Sequence, residues 1–542
     1  MMISKRCLVL LLMPALFLSA CALDPGAKPA RYNILLIVLD AVRADHLGCY
    51  GYNRPTSPNI DKLAAESILF EQAYSQGIQT LPSFGSFLTG KYPSTLNLYW
   101  TNPPHRILHP EELTLPEVLR IHNYRTAAFP TGPHLLPIFG LTQGFQIYTN
   151  NPDFDVALKE GTDFLHQQVM SRQNAFVHPE GKREVWSFQD ILPLITNYLQ
   201  LPHNQPFFMM AHSNDAHPPY DNPIEFGHKF DPGYQGVFCG KPRAGETAFR
   251  LTLSTLNNIQ GHKLALKGLS HNWDYLRNEP YPRDTEEEIL LSDRDLKHIR
   301  AHYDGAIAYA DECVGRILKQ LVDSGLDKNT MVILIADHGE TLGERELFDR
   351  SFGTPLPLYN EVCHVPLIIR LPPALKSRIP HPISRIDTPV QLVDLMPTIL
   401  DLIGIKAPDN LDGLSLKSII ATTDIHRLTQ INKDRPIITE ALPDELAFRL
   451  DNWKLMYRPA GLSEFYNLAN DPVEQNNLID NPEAGPAYNN VLSALKDWQK
   501  LVLARRGAWA VEFTDNLWMR VYQLDPVVPA PPEAPKAPEP KR

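Results

Sequence analysis

Cysteine is scarce, with six residues in a chain of 542, and no two of them form a Cys-x-x-Cys pair. That excludes a zinc ribbon and a disulfide-dense scaffold. Positive charge is also short: 51 Lys and Arg stand against 62 Asp and Glu, a formal net charge of −11. No basic cluster offsets it, so a nucleic-acid partner is excluded. The apolar run among the first residues is too short for a comfortable membrane span, and no internal repeat is visible. Proline, by contrast, is plentiful at 49 residues, and aromatics are spread throughout. Together they indicate long ordered loops rather than disorder. With 43% hydrophobic and 21% charged residues, a chain of this length forms a large core and more than one compact unit.

The first residues read as a targeting segment. Lys5 and Arg6 precede an almost wholly apolar stretch, Cys7 to Leu18. The sequence Leu18-Ser19-Ala20-Cys21 resembles a bacterial lipoprotein signal, in which Cys21 is lipidated and becomes the mature N-terminus. The alternative is an ordinary secretory signal cut near Ala20. Ala22, rather than Asp, after the cysteine implies the outer membrane by analogy. Cys49, Cys239, Cys313 and Cys363 then remain, open to either disulfides or buried thiols.

Two stretches carry the chemistry. Met331–Glu340, MVILIADHGE, begins with an apolar run ending at Ala336, then Asp337, His338 and Gly339. Asn33–Asp40, NILLIVLD, is a second apolar run that ends on an Asp. Runs of this kind are strands buried on both faces, as in a parallel sheet. Ligands in open α/β sheets sit beyond the carboxyl ends of the strands. Asp40 and Asp337 would therefore share one edge, where two like charges repel unless a cation lies between them.

The rest of the chain alternates. Pro58–Phe70 has near-helical spacing, Ser75–Gly90 is a loop running into a helix, and Leu115–Ile121 is helical. Arg125–Phe129 and Pro206–Ala211 are short strands, the second leading into His212-Ser-Asn-Asp-Ala-His217. His302–Leu321 is amphipathic, Val365–Leu371 is a strand, and Pro389–Ile403 a helix. After Ile420 the pattern changes to short strands over Pro436–Asn467, a small antiparallel sheet, with the helix Tyr488–Arg505 on it. Asp525–Arg542 is a Pro-rich, extended tail.

Several of these segments, in order, resemble the sulfatase family of the alkaline phosphatase superfamily. They are NILLIVLDAVRADHLGCYG, YDGAIAYADECVGRIL with NTMVILIADHGE, VPLIIRLP, VQLVDLMPTILDLIGI closed by LDGLSL, and WKLMY with EFYNLANDPVEQNNL. The resemblance implies an alkaline-phosphatase-like α/β fold, a mainly parallel central sheet flanked by helices, with a small C-terminal α+β subdomain. It divides the chain into a signal peptide (1–20), a tether (21–31), a catalytic domain (32–425), a C-terminal subdomain (426–515) and a Pro-rich tail (516–542). It also implies one divalent metal, with Asp40, Asp337 and His338 as ligands. His217, in HSNDAHPPY, matches the family's ester-binding histidine, which protonates the leaving group. His134, in TGPHLLPIFGLTQGF, sits where the family has Gly-Lys-Trp-His, with Pro133 in place of the Lys.

Two departures bear on the chemistry. The family's second Asp after the first is here Ala41. The family's nucleophile motif, Cys or Ser followed by x-Pro-Ser-Arg, is here Thr80-Leu81-Pro82-Ser83-Phe84. The sulfatase nucleophile is a formylglycine made by oxidising Cys or Ser. Thr carries a methyl on Cβ and cannot yield that aldehyde, whose second hydroxyl expels sulfate from the covalent intermediate. A phosphorylated Thr needs no such route, because water attacks phosphorus directly. The set of one acidic residue, Thr, Asp and His is also similar to that of lipoteichoic acid synthases and phosphoethanolamine transferases, which use a Thr nucleophile on a single metal.

The expectation is a metal-dependent ester hydrolase in which Thr80 is nucleophile and metal ligand. Its substrate is a sulfate or phosphate ester of a small molecule, glycan or lipid. The alternatives are a phosphotransferase or phosphodiesterase acting on an envelope glycan or lipid, and a non-catalytic binding protein. Calcium is the family's ion, while a histidine among few carboxylates suits manganese or zinc. Residues 150–205 and 221–295 are expected to set the substrate.

Overall fold

In the computed structural model the described residues are 32–99, 107–149, 187–218, 220, 222–235, 292–347, 356–379, 384–422, 435–442, 445–458 and 462–505, with short strand pieces between 248 and 290. The segment with Cys21, Cys239, the Pro-rich tail and much of the two expected substrate loops lie outside them.

Strand β1 (Asn33–Leu39) is buried along its whole length, as are β5 (Phe207–Ser213) and β6 (Thr330–Ala336). These apolar runs are stable only in the middle of a sheet covered on both faces. β1 runs parallel to both, with Leu39 opposite Ala336 on one side and Ser213 on the other. Asp40 and Asp337, one residue further on, therefore emerge together, as the two apolar runs require. β3 (Arg125–Phe129) pairs parallel with β5, and β4 (Ile147–Tyr148) with β3. On the other flank β7 (His364–Arg370) runs antiparallel to both β6 and β2 (Ile68–Tyr74). Two short strands, β8 (Arg385–Ile386) and β9 (Val390–Gln391), run parallel to β2. The order is β8-β2-β7-β6-β1-β5-β3-β4, with β9 also on β2.

Helix α1 spans only Pro58–Ala65. The expected helix over Pro58–Phe70 is corrected here, because Ile68–Tyr74 is the strand β2. Its apolar residues continue the helical spacing by chance, while the chain turns at Glu66 and Ser67. Pro389–Ile403 divides similarly into β9, a 3-10 turn and a shorter helix, Leu395–Ile403. The amphipathic stretch belongs to a 31-residue helix, Asp293–Asp323, opened by a capping box of Ser292 and Asp295. Tyr303, Ile307, Val314 and Ile317 on its inner face are buried in the main core.

The C-terminal strands Ile437–Leu442 (β10), Glu445–Leu450 (β11), Trp453–Tyr457 (β12) and Glu464–Asn467 (β13) form a separate antiparallel sheet in that order. The helix Gly485–Arg505 packs on it around Phe448, Leu455, Phe465, Leu495 and Trp498. β10 also grips the main domain. Thr439 Oγ1 donates to Ser75 O at 2.6 Å, Glu440 N–H to Gln76 O at 2.9 Å, and Gln76 Nε2 to Ile438 O at 3.3 Å. Cys49, Cys313 and Cys363 are free thiols. Among the described residues no helix is long and apolar enough to cross a membrane.

Candidate active site

The loop gripped by β10 leads straight into helix α2 (Thr80–Thr89), every residue of which is buried. Gly77 makes the approach feasible, since a Cβ there would lie 3.0 Å or less from Pro82 and the Ser83 nitrogen. Gly90 ends the helix in the left-handed conformation, its N–H donating to Ser86 O. Thr80 is the first helical residue, and Gln79 occupies the cap position. Thr80 is therefore placed at the positive end of the helix dipole, where an anion is favoured.

Asp40, Asp337 and His338 meet at the strand ends, all three buried, with one ligand atom from each inside a 4.8 Å cluster. His338 Nε2 lies 3.3 Å from Asp337 Oδ2, 3.5 Å from Asp40 Oδ1 and 3.4 Å from Thr80 Oγ1. Its other nitrogen, Nδ1, is 3.0 Å from Gly339 O. A carbonyl only accepts, so Nδ1 carries a proton and Nε2 is the nitrogen that faces the carboxylates. Asp337 Oδ1 accepts the backbone N–H groups of His338 at 3.0 Å and Ala41 at 3.3 Å, which leaves Oδ2 on the His338 side. Two buried carboxylates, an imidazole nitrogen and a hydroxyl form a donor set that fits a divalent metal.

Ala41, in the place of the family's second Asp, has φ of 60°. That backbone is unfavourable for Ala by about 1 kcal/mol. Tyr303 holds it: the Tyr303 hydroxyl donates to Ala41 O at 2.7 Å and accepts the Arg43 N–H at 2.9 Å. Arg43 is itself buried, paired with Asp45 at 2.7 Å and Glu344 at 2.9 Å, and donates to Glu340 O at 3.2 Å. Burial works against its charge, but the two carboxylates outweigh that and hold its pKa above the ordinary value. Burial likewise pushes Glu344 up, and Arg43 pulls it to a net position below the ordinary carboxylate range.

Two further expected residues, His217 and His134, come together with each other. His217 follows β5, is buried, and places Nδ1 2.6 Å from Pro218 O. His134 lies on a 3-10 turn, Pro133–Leu135, after β3, with its ring centroid 6.0 Å from that of His217. The two loops touch: a Cβ on Gly132 would meet Asn214 Oδ1 at 2.5 Å. Phe84 is buried and turned inward, its ring 4.7 Å from Phe87 and edge-on to His212 at 5.4 Å. The helix turn thus presents an aromatic ring where the family motif has a guanidinium.

Two residues escape the sequence reading, His212 and Arg43. His212 belongs to β5 rather than to the loop beyond it, and its Nε2 lies 3.5 Å from Asp40 Oδ2. A histidine paired across the sheet with the strand that ends on Asp40 is the signal, but it becomes visible only once the register is known.

Comparison with known proteins identifies the family. Residues 32–405 match the sulfatase family, and residues 343–501 match the C-terminal region of N-sulphoglucosamine sulphohydrolase. An N-acetylglucosamine-6-O-sulfatase of Bacteroides thetaiotaomicron is 25% identical, covering 91% of this chain and 90% of its own. Human iduronate 2-sulfatase is 27% identical over 69% of this chain and 70% of its own. Among solved structures, one in complex with its substrate D-glucosamine-2-N,6-O-disulfate has a TM-score of 0.60 at 21% identity, covering 88% of this chain and 98% of its own. The phosphonate monoester hydrolase of Agrobacterium radiobacter has a TM-score of 0.59 at 20% identity, covering 89% and 97%. With its family match spanning well over half its length, the chain belongs to the sulfatase family, ester hydrolases of the alkaline phosphatase superfamily.

Proposed function

We propose that Asp40, Asp337, His338 and Thr80 hold one divalent metal, and that Thr80 is the nucleophile in cleavage of a phosphate or sulfate ester carried by a saccharide or envelope molecule. One observation carries this most directly: the Thr80 hydroxyl lies 3.4 Å from His338 Nε2, at the edge of the buried carboxylate cluster. When bound, the cation lowers the pKa of a coordinated hydroxyl and offsets negative charge on the ester oxygens.

The residues divide the remaining work. Thr80 Oγ1, having released its proton to water, attacks phosphorus and the bond to the leaving oxygen breaks. His217 donates the proton it holds on Nε2 to that oxygen, its Nδ1–H being committed to Pro218 O. Water then attacks the phosphothreonine in line, His217 takes up one of its protons, phosphate leaves, and the Thr80 oxygen regains from water the proton it released. His134, beside His217, orients the ester. The N-terminus of α2 favours the anionic group.

Phosphate is the ester a Thr nucleophile completes without an aldehyde. Sulfate is favoured by the relatives, whose names include N-acetylglucosamine-6-O-sulfatase and iduronate 2-sulfatase. Purified protein assayed on matched aryl sulfate, aryl phosphate and phosphodiester separates the two. Phosphoryl turnover with a trapped phosphothreonine at residue 80 is expected. Sulfatase turnover that persists in Thr80→Ala would overturn the role of Thr80, and bound metal without any turnover would favour a binding protein.

We also propose anchoring in the cell envelope through lipidated Cys21. Metabolic labelling with a fatty-acid probe should mark the wild type and miss Cys21→Ser, and equal labelling would overturn it.

A further inference from the structure

We infer that Glu474, in the Asp471-Pro472-Val473-Glu474 stretch of the C-terminal subdomain, is a positioning residue for the site. Through Asn360 it fixes a short helix whose carbonyls hold both the residue after His338 and the loop that leads to Thr80. The inference rests on the metal and nucleophile roles proposed above, and concerns a residue outside the cluster of Asp40, Asp337 and His338.

The short helix, Asn360–Cys363, immediately precedes β7. Its carbonyls serve two sides of the site. Val362 O accepts the Gly339 N–H at 2.7 Å, and Glu361 O accepts the Glu340 N–H at 3.0 Å. Gly339 directly follows His338, and its own carbonyl is the partner of His338 Nδ1. A Cβ on Gly339 would lie 2.1 Å from Glu361 O, so the two backbones are packed with no room for a side chain between them. On the other side, Cys363 O accepts the Ser75 N–H at 2.9 Å, where the loop to Thr80 begins. A displacement of the short helix therefore shifts His338 and Thr80 relative to one another.

The C-terminal subdomain holds that helix. Glu474 Oε2 accepts the Asn360 N–H at 2.7 Å, a first-turn donor with no partner inside its own helix. Asn360 Nδ2 donates to Pro472 O at 3.2 Å, and Lys454 Nζ donates to Asn360 Oδ1 at 3.1 Å. Lys454, on β12, is also ion-paired with Glu474 Oε1 at 2.5 Å, and both side chains are buried. Arg345 adds a second clamp. Its Nη1 donates to Glu361 Oε1 at 2.6 Å and its Nη2 to Val473 O at 2.5 Å and Glu474 O at 3.2 Å. Glu474 and Arg345 both have left-handed backbones, with φ of 56° and 53°, where few side chains other than Asn and Asp are found. A buried charge on an unfavourable backbone opposes folding twice over. Apolar packing would hold the seam at least as well, but it would supply no acceptor for the Asn360 N–H.

The test separates reach from charge in the full chain. Glu474→Asp keeps a charge beside Lys454 and suits the left-handed backbone better, but its shorter side chain withdraws the carboxylate from Asn360. The double variant Lys454→Met with Glu474→Gln removes both charges and keeps an oxygen at full reach. Each protein is titrated with zinc, manganese and calcium by isothermal titration calorimetry, assayed on the aryl ester that the wild type turns over, and unfolded in urea. Glu474→Asp should lose about 10-fold in affinity for the ion that the wild type binds most tightly, the lower end of what loss of a partner supporting a metal ligand removes. Its kcat should fall by a similar factor, with KM changed by no more than about twofold. The double variant should restore both affinity and kcat whatever its urea midpoint. Wild-type affinity and kcat in Glu474→Asp would overturn the inference, and so would equal losses in the two variants, which would assign the effect to the ion pair. Failure of the wild type itself to bind any of the three ions, with Asp337→Ala indistinguishable from it, would overturn the metal site and this inference with it.

Discussion

Thr80 differs from serine by one methyl group and from alanine by one hydroxyl, and these two changes separate its roles. As a nucleophile it needs only the hydroxyl. Thr80→Ser should therefore keep much of the turnover, while Thr80→Ala should lose on the order of 10³-fold or more in kcat. A purely helical role predicts little, because Gln79 rather than Thr80 holds the cap position. Steady-state kinetics on the two variants, with unfolding measured alongside, decides between these. Asp337 permits a second separation. Asp337→Asn keeps an oxygen to accept the Ala41 and His338 N–H groups but removes one of two buried like charges. The metal-free variant should be at least as stable as the metal-free wild type, because repulsion with Asp40 is relieved. Added metal should raise the Tm of the wild type and leave the variant nearly unmoved, which thermal denaturation with and without chelator would show.

At the scale of elements, the site is a product of register. β1 and β6 are aligned so that Leu39 faces Ala336, and the next residue of each is a carboxylate. This much was legible in the sequence, because two unbroken apolar runs ending on Asp have few other uses. Helix α2 was legible too, since Pro82 lies near its start and Gly90 ends it. β2 was not, because Ile68, Leu69 and Ala73 satisfy a helical spacing as well as a strand's, and pairing with β7 decides. Nor was the grip of β10 on the loop before Thr80, which joins residues more than 360 positions apart. That grip should matter for catalysis as well as stability. Thr439→Val keeps the shape of the side chain but removes the hydroxyl that bonds Ser75 O. We expect a loss of about 1 kcal/mol in urea unfolding. We also expect a fall in kcat larger than any change in KM, because the loop it loosens leads into the helix that begins with Thr80, the proposed nucleophile. An unchanged kcat would confine β10 to a structural role.

For the molecule as a whole, one long-range electrostatic tie near the site is Arg43, which joins the segment after β1 to Glu344 across roughly three hundred residues of sequence. Burial alone would raise the Glu344 pKa, but the Arg43 guanidinium outweighs it, so the folded value lies below the ordinary 4.5. The sign of the pH dependence follows. Between the two values the unfolded chain binds more protons than the folded one, so stability rises with pH there. The contribution is complete above about pH 4.5, the unfolded reference, and is lost as pH falls through the lower folded value. Glu344→Gln retains an oxygen to accept from Arg43 but cannot ionise. It should cost about 1 kcal/mol at pH 7, given that Glu344 is partly exposed. The difference from wild type should shrink once the pH drops below the ordinary carboxylate value. Denaturant unfolding of both proteins across pH 3 to 7 tests this, and a difference independent of pH would mean that the Arg43–Glu344 contact stabilises the fold by packing and hydrogen bonding rather than by charge.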